Sequence, residues 1–216
     1  MHGVQDAVKP YRSRVRAEAA LRTRRLIRDA AARLFVEQGA AATTMRQIAA
    51  EAGVAERTVY TAFPTKGALF KEVLDVATVG DEKPLSVAQR PEFEAFLAER
   101  DPERAAAMFA EHGTELLERS GDLLTAALES SGADQEMRQL TEAAKAAMTV
   151  NMRSVAEAWQ RSGMLREGLD ADAAGAILYT LAGPVVHHQL RRDQSWPAPQ
   201  YTAWLRDTLL RTLMRT

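Results

Sequence analysis

Thr43–Lys66 reads TTMRQIAAEAGVAERTVYTAFPTK, and this stretch decides the fold. Thr44 followed by Gln47 is a capping box, in which the Thr hydroxyl accepts the backbone N–H three residues on and the Gln side chain reaches back. Ile48, Ala49 and Ala52 then recur at helical spacing on one face. Gly53 stands where a helix C-terminus needs a positive φ, a conformation that glycine adopts without steric cost. The spacing therefore predicts one helix over about 45–52. Val54 and Val59 sit as a hydrophobic staple across the start of a second. Val59, Ala62 and Phe63 form its inner face, and Glu56, Arg57, Thr58, Tyr60 and Thr61 are left outside. Pro64 ends it, because the residue before proline disfavours helical backbone. Thr65 caps a further helix carried by Leu69, Phe70, Val73 and Leu74. Two short helices on a tight glycine turn, the second with a polar outer face, are the layout of a helix-turn-helix, whose second helix reads the DNA major groove.

Charge placement bears on the same segment. Helix N-termini favour acids and disfavour bases, yet Arg46 falls in the first turn of one helix and Lys66 in the first turn of another. Two readings account for this. Either an anion such as phosphate meets the exposed N–H groups and the cation together, or both are solvated surface cations.

The segment resembles the N-terminal domain of TetR-family transcriptional regulators. The residues that carry the resemblance are Ala30–Ala31 with Leu34–Phe35, Gly39, Thr43–Thr44, Ile48–Ala49, Ala52–Gly53–Val54, Thr58–Val59–Tyr60, Phe63, and Lys66 with Leu69. It spans roughly residues 20–75. Ala55 departs from the pattern, since the family usually places Ser or Thr there as helix N-cap; a lost cap costs about 0.5–2 kcal/mol. Under this reading Arg57, Thr58 and Thr61 face base edges. Arg57 has the geometry to pair bidentately with guanine, and Glu56 either accepts from cytosine N4 or merely favours the helix dipole. Thr44, Arg46, Tyr60 and Lys66 hold phosphates.

Composition sets outer limits. The 216 residues suit one large or two small domains, and 46% hydrophobic residues are enough for a core. The chain has no Cys, which excludes disulfides, thiol nucleophiles and Cys-ligated zinc. No apolar run is long enough to span a membrane, and residues 1–17 lack the apolar centre of a secretory signal, so a cytoplasmic protein is expected. The net charge of −1 conceals a division: residues 1–70 carry +6 and residues 71–216 carry −7. A basic head and an acidic body suit DNA binding by the first alone.

The expected architecture is all-α with about nine helices, the number the family resemblance also implies. Residues 1–17, with Lys9, Arg12, Arg14 and Arg16, read as a flexible basic arm, either a solvated tail or an added phosphate or minor-groove contact. Residues 18–79 read as the helix-turn-helix domain with helix 4, the first helix running over about 18–38 with Leu21, Ile27, Ala30, Ala31, Leu34 and Phe35 buried. Arg22, Arg24, Arg25 and Arg28 are placed to approach the DNA backbone. A polar connection follows at 80–91. Residues 80–216 read as a helical effector-binding and dimerisation domain, with helices at about 91–99, 102–119, 122–130, 133–162, 170–191 and 200–215.

By resemblance, the last two long helices pair across a two-fold. Their apolar faces include Leu178, Leu181, Val185, Tyr201, Trp204, Leu205, Thr208 and Leu209, and the small residues Ala173–Ala176 permit close helix approach. The alternative is that these faces pack inside one chain. Pro184 lies within helical pattern and predicts a kink. The family's effector pocket would be lined here by Met108, Phe109, His112, Leu116, Met148, Met152 and Trp159, since Met and aromatic side chains adapt to ligand shape; plain core is the competing reading. His187 and His188 are adjacent and cannot both face one metal, and no metal set or cofactor is expected. No nucleophile elbow, P-loop or GxGxxG is present, so an enzyme is not expected. The expected partners are a double-stranded DNA operator, a small-molecule effector and a second copy of the chain. The expected activity is that of a ligand-responsive repressor that releases a palindromic operator; an enzyme, or a helical scaffold that has lost DNA binding, are the readings it competes with.

Overall fold

The computed structural model describes residues 8–82 and 86–215. Among them are ten α-helices and no strand: α1 Val8–Gln38, α2 Met45–Glu51, α3 Glu56–Ala62, α4 Lys66–Val79, α5 Pro91–Ala98, α6 Pro102–Ser130, α7 Gln135–Arg161, α8 Ala171–Leu181, α9 Pro184–His188 and α10 Ala198–Leu213. A 3-10 turn at Val87–Gln89 precedes α5 and a π turn at Gln189–Asp193 continues α9. The chain divides into two compact units between Val73 and Leu74. That point lies inside α4 rather than at the expected 79/80 boundary, because Leu69, Phe70 and Val73 belong to the head core while the carbonyls of Ala77 and Thr78 receive Arg119 of α6.

The head is built as its pattern dictates. Ile27, Ala30, Ala31 and Phe35 of α1 are fully buried with Ile48, Val59, Leu69 and Phe70, and the Phe35 and Phe70 rings lie 4.8 Å apart. Two residues of the expected buried stripe depart from it: Leu21 is 56% exposed, well before Ile27, where the fully buried residues of α1 begin, and Leu34 is half-buried. α1 itself begins at Val8, ten residues before the expected start, so much of the supposed flexible arm is helix. The arm's residues 1–7 lie outside the described residues.

The body departs from the expected boundaries in two places, each with a physical cause. α6 is one helix where two were expected, and it runs straight through Gly121. A Cβ at Gly121 would stand 3.1 Å from His187 Nδ1, so glycine here serves close approach rather than termination. The expected helix over 170–191 is broken. α8 ends at Leu181, Gly183 takes extended backbone, and Pro184 starts α9 at its first position. Proline there lacks only an N–H that the first turn would leave unpaired; it is a start signal, not a kink within a helix. Gly183 is needed because a Cβ would meet the Tyr179 carbonyl oxygen at 2.8 Å.

The body core joins α5, α6, α7, α8 and α10 through Phe96, Phe109, Val155, Trp159, Leu178, Tyr201, Leu205 and Leu209. α7 and α8 approach closely: a Cβ on Gly175 would stand 3.2 Å from the Arg153 Cα. Of the small residues expected to permit close approach, Ala174 and Gly175 are thus used within the chain, while Ala173 and Ala176 are exposed. Just past α10, Met214 pairs in an isolated antiparallel bridge with Leu165, in the connection between α7 and α8.

Candidate nucleic-acid interface

Local chemistry builds the α2–α3 pair. Gln47 N donates to Thr44 Oγ1 at 3.2 Å and Thr44 N donates to Gln47 Oε1 at 2.8 Å, so both arms of the capping box form. α2 closes in a Schellman motif: Val54 N donates to Ala49 O at 3.0 Å, Gly53 N donates to Ala50 O at 3.2 Å, and Gly53 has φ +67°. Ala55 is the N-cap of α3 and makes no side-chain cap. Val59 and Phe63 bury α3's inner face, while Glu56, Arg57, Tyr60 and Thr61 are exposed and Thr58 is half-buried. Arg46 is exposed on α2 and Thr44 is exposed at its cap.

Three interactions that spacing did not reveal hold this pair in place. Thr43 is 1% exposed, and its hydroxyl donates to Gly39 O at 2.8 Å and Leu34 O at 3.2 Å, tying α2 to the end of α1. Arg24 binds Glu72 through Nε and Nη2, donates from Nη1 to the Ala62 carbonyl at 2.7 Å, and stacks on the Phe63 ring at 4.0 Å. It clamps α1 and α4 to the C-terminal end of α3, a structural use for Arg24 that the sequence did not show. Lys66 Nζ donates to the Ala40 carbonyl at 2.7 Å, a use for this cation that the sequence did not show. Thr61 also has an internal use, its hydroxyl donating to Arg57 O at 2.8 Å, which leaves its lone pairs rather than its proton for a base edge.

Residues 27–73 match the family model of bacterial regulatory proteins, tetR family. The head is a TetR-family domain. No curated protein matches the chain. Among solved structures it resembles NalD, described as the secondary repressor of the MexAB-OprM multidrug efflux pump in Pseudomonas aeruginosa, at 23% identity over 92% of this chain and 98% of that one, with a TM-score of 0.68. It also resembles a SmeT–triclosan complex, at 22% identity over 89% and 92% of the two chains and a TM-score of 0.70; SmeT is described elsewhere as a repressor of a Stenotrophomonas maltophilia multidrug efflux pump. A third resemblance is to a transcriptional regulator of Saccharomonospora viridis in complex with choline, at 18% identity over 89% and 98% and a TM-score of 0.67. These likenesses extend the all-α TetR fold over the body.

Within the body of this TetR-fold chain, the expected pocket residues separate into groups. Phe109 and Trp159 lie 5.8 Å apart, and Phe96, which spacing did not single out, completes the cluster at 5.7 and 6.0 Å from them. The Phe93–Phe96 spacing on α5 was the available signal. Met108 and Met152 pack against the same core. His112 and Leu116 are half-buried on α6 and Met148 is half-buried on α7; the Met148 methyl lies 3.8 Å from where a Cβ on Gly183 would stand. The indole N–H of Trp159 is buried without a hydrogen-bond partner.

Half of the expected dimer-face residues are corrected. Leu178, Tyr201, Leu205 and Leu209 are each 0% exposed inside their own chain, because α10 turns that face onto α6 and α8 shows its own to α7. Their apolar spacing reports an intrachain core. Leu181, Trp204 and Thr208 are half-buried, and Val185 is 53% exposed.

A polar clasp joins α6 to α9 and the π turn. Glu118 accepts from Arg191 Nε at 2.5 Å and Nη2 at 2.8 Å, and lies 2.9 Å from His187 Nε2. Asp122, one turn on, accepts from Arg192 Nη2 at 2.8 Å. Hydrogen bonding from Arg191 holds the Glu118 carboxyl down at about 2, against the opposing effect of burial. Burial pushes the His187 imidazole down, although Glu118 pulls the other way. Since a carboxylate only accepts, the His187 Nε2 that faces Glu118 carries a proton. Burial likewise pushes the Tyr201 hydroxyl up.

Proposed function

We propose that the chain is a ligand-responsive, homodimeric DNA-binding regulator that represses transcription and releases a palindromic operator when a small molecule enters its body. The observation that carries this reading is α3. It is a short helix inside the TetR-matched segment, buried by Val59 and Phe63, with Arg57, Tyr60 and Thr61 directed to solvent. In this reading Arg57, Thr58 and Thr61 contact base edges, Glu56 accepts from a cytosine amine, and Thr44, Arg46, Tyr60 and Lys66 hold phosphates. An ammonium has three N–H donors, so the Lys66 bond to Ala40 is compatible with one more to phosphate. Two copies would present two α3 helices about 34–36 Å apart, which favours an inverted repeat. Leu181, Val185, Trp204 and Thr208 are the dimer-face residues that remain available to a second copy. The small molecule sits near Phe109, Trp159, Met108 and Met152, with His112, Leu116 and Met148 around them; triclosan and choline in the similar structures suggest aromatic or cationic chemistry. For release, it must bind the DNA-incompetent state a few kcal/mol more tightly than the competent one.

The test is selection of bound duplexes from a random pool, for wild type and Arg57→Ala. Wild type should return an inverted repeat. Arg57→Ala should relax one position in each half-site, with a loss of about 1–3 kcal/mol. Identical selected sites for both proteins would remove Arg57 from base reading, and retention of no DNA at low salt would overturn the reading as a whole.

A further inference from the structure

Two independent features of the body meet at Phe109. The first is Gly113, in the middle of α6. Its neighbours on the same helix face, Ala106, Phe109, Ala110, Leu117 and Ser120, are all buried. Gly113 in their midst is only half-buried, and a Cβ there would meet nothing within 4 Å. Glycine inside a helix is destabilising relative to alanine. Gly121 and Gly175 have a packing reason for it, since a Cβ on either would stand 3.1 or 3.2 Å from a neighbouring element; Gly113 has none. Protein interiors leave few gaps, so the inward face of α6 holds a space one turn from Phe109.

The second feature is Trp159 of α7. It is 1% exposed and packs against Phe109 at 5.8 Å and Phe96 at 6.0 Å, but its indole N–H is buried with no hydrogen-bond partner. Buried donors are nearly always paired, because an unpaired one keeps the full cost of losing water. An indole N–H only donates, so an acceptor is what completes it. No Asp, Glu, Lys or Arg is buried among the described residues, so an ion brought into this core would lose its hydration without gaining a countercharge. A cation would also face the positive end of the N–H dipole. Aromatic faces, one lone donor and no buried charge together define the chemistry that fits.

We propose that the body binds an uncharged aromatic molecule carrying a hydrogen-bond acceptor, with its ring against Phe109 and Trp159, its acceptor on the Trp159 N–H and its remainder in the space at Gly113. This rests on the small-molecule reading above and narrows it, from aromatic or cationic chemistry to a neutral aryl acceptor such as an aryl ketone or ether.

The experiment uses the full chain and three probes built on the same ring. Acetophenone carries a carbonyl acceptor, α-methylstyrene replaces that oxygen by a CH2 of nearly the same shape, and phenyltrimethylammonium carries a cation. Dissociation constants are measured by ligand-observed NMR titration for wild type, Trp159→Phe and Gly113→Leu, and denaturant titration reads the stability of each. Trp159→Phe keeps a ring and loses the donor, so the preference for acetophenone over α-methylstyrene should fall about tenfold. Comparing that preference between two proteins cancels the different hydration of the probes. In wild type, acetophenone should move the Trp159 indole N–H resonance downfield and α-methylstyrene should not, a readout that needs no variant to fold. Gly113→Leu should keep or raise stability, since leucine favours helix and the space is open, and should weaken acetophenone by about tenfold or more by filling that space. An unchanged preference in Trp159→Phe, or an unmoved N–H resonance in wild type, removes the donor from recognition and overturns the proposal. Full-strength binding to Gly113→Leu, or loss of its fold, overturns the location. Tighter binding of phenyltrimethylammonium than of acetophenone by wild type overturns the neutral class. No acetophenone binding by a chain that still retains its selected operator overturns the proposal and leaves the DNA reading standing.

Discussion

Replacing Arg24 by Ala separates holding the recognition helix from touching DNA. The guanidinium makes three kinds of contact: a forked ion pair with Glu72, a bond to the Ala62 carbonyl and a stack on Phe63. Its side chain is 39% exposed and that of Glu72 is 26% exposed, so the ion pair is screened and worth about 0.2–1 kcal/mol. The carbonyl bond adds ~1 kcal/mol and the stack about 0.5–1 kcal/mol. The Ala62 carbonyl ends a helix and turns to water once Arg24 is gone, so no buried orphan adds to the loss. The expected destabilisation is therefore about 2 kcal/mol, which for a chain of this size is a fall of roughly 4–8 °C in midpoint. Arg24→Lys should recover less than half, since an ammonium cannot fork onto Glu72 and reach Ala62 together. A double-mutant cycle with Glu72→Gln should return a coupling energy near the ion-pair share. Denaturant titration of the full chain reads stability, and the salt slope of operator binding reads phosphate contact. A stability change under about 0.5 kcal/mol, combined with a salt slope lower by about one, would make Arg24 a phosphate ligand and refute the clamp.

Lys66→Ala should cost stability through the lost Ala40 bond and also lower the salt slope by about 1; lost stability with an unchanged slope would confine Lys66 to the fold. Ala55→Ser supplies the cap that α3 lacks and should raise the head's stability by about 0.5–2 kcal/mol, read by denaturant titration; no gain would mean that the first turn of α3 is already held. Glu118→Gln tests the clasp by pH. The Glu118 carboxyl is lower in the folded chain than unfolded, so its contribution is complete above about 4.5 and is lost as pH falls toward about 2. His187, pushed down by burial, acts in the same direction, favouring the folded state above its unfolded value and losing that contribution as pH falls below it. Acid unfolding followed by near-UV circular dichroism should be less steep between pH 4.5 and 2 in the variant. Superimposable curves would show that Glu118 is not the group that drives acid unfolding.

What the sequence made legible was local. Thr44–Gln47, Gly53 and Thr65 each act within a few residues, through hydrogen bonds that a spacing alone implies, and each is where spacing placed it. Arg24 was not legible because its partner Glu72 is 48 residues away, and a surface cation near a helix-turn-helix has the same sequence signature whether it binds phosphate or carboxylate. Gly121 reads as a helix end until His187 is seen beside it. The apolar faces of α8 and α10 show the same limit in another form. Periodicity reports that a face is buried, and it is silent on whether the cover is the same chain or another. For Leu178, Tyr201, Leu205 and Leu209 the cover is the same chain.

The recognition helix depends on these distant contacts more than on its own sequence. α3 has seven residues, well below the ~12–15 at which an isolated helix becomes even marginal in water, and Ala55 leaves its start without a side-chain cap. Its order must come from Val59 and Phe63 in the core, from the Schellman turn before it and from Arg24 on its last carbonyl. Each of those anchors touches the inner face or the ends and none occupies the outer face, so side chains at Arg57 and Thr58 can vary while the backbone that aims them stays fixed. The same division makes α3 vulnerable at its ends. A change at Gly53 or Arg24 would alter the aim of every outer-face side chain together, whereas a change at Arg57 alters one contact.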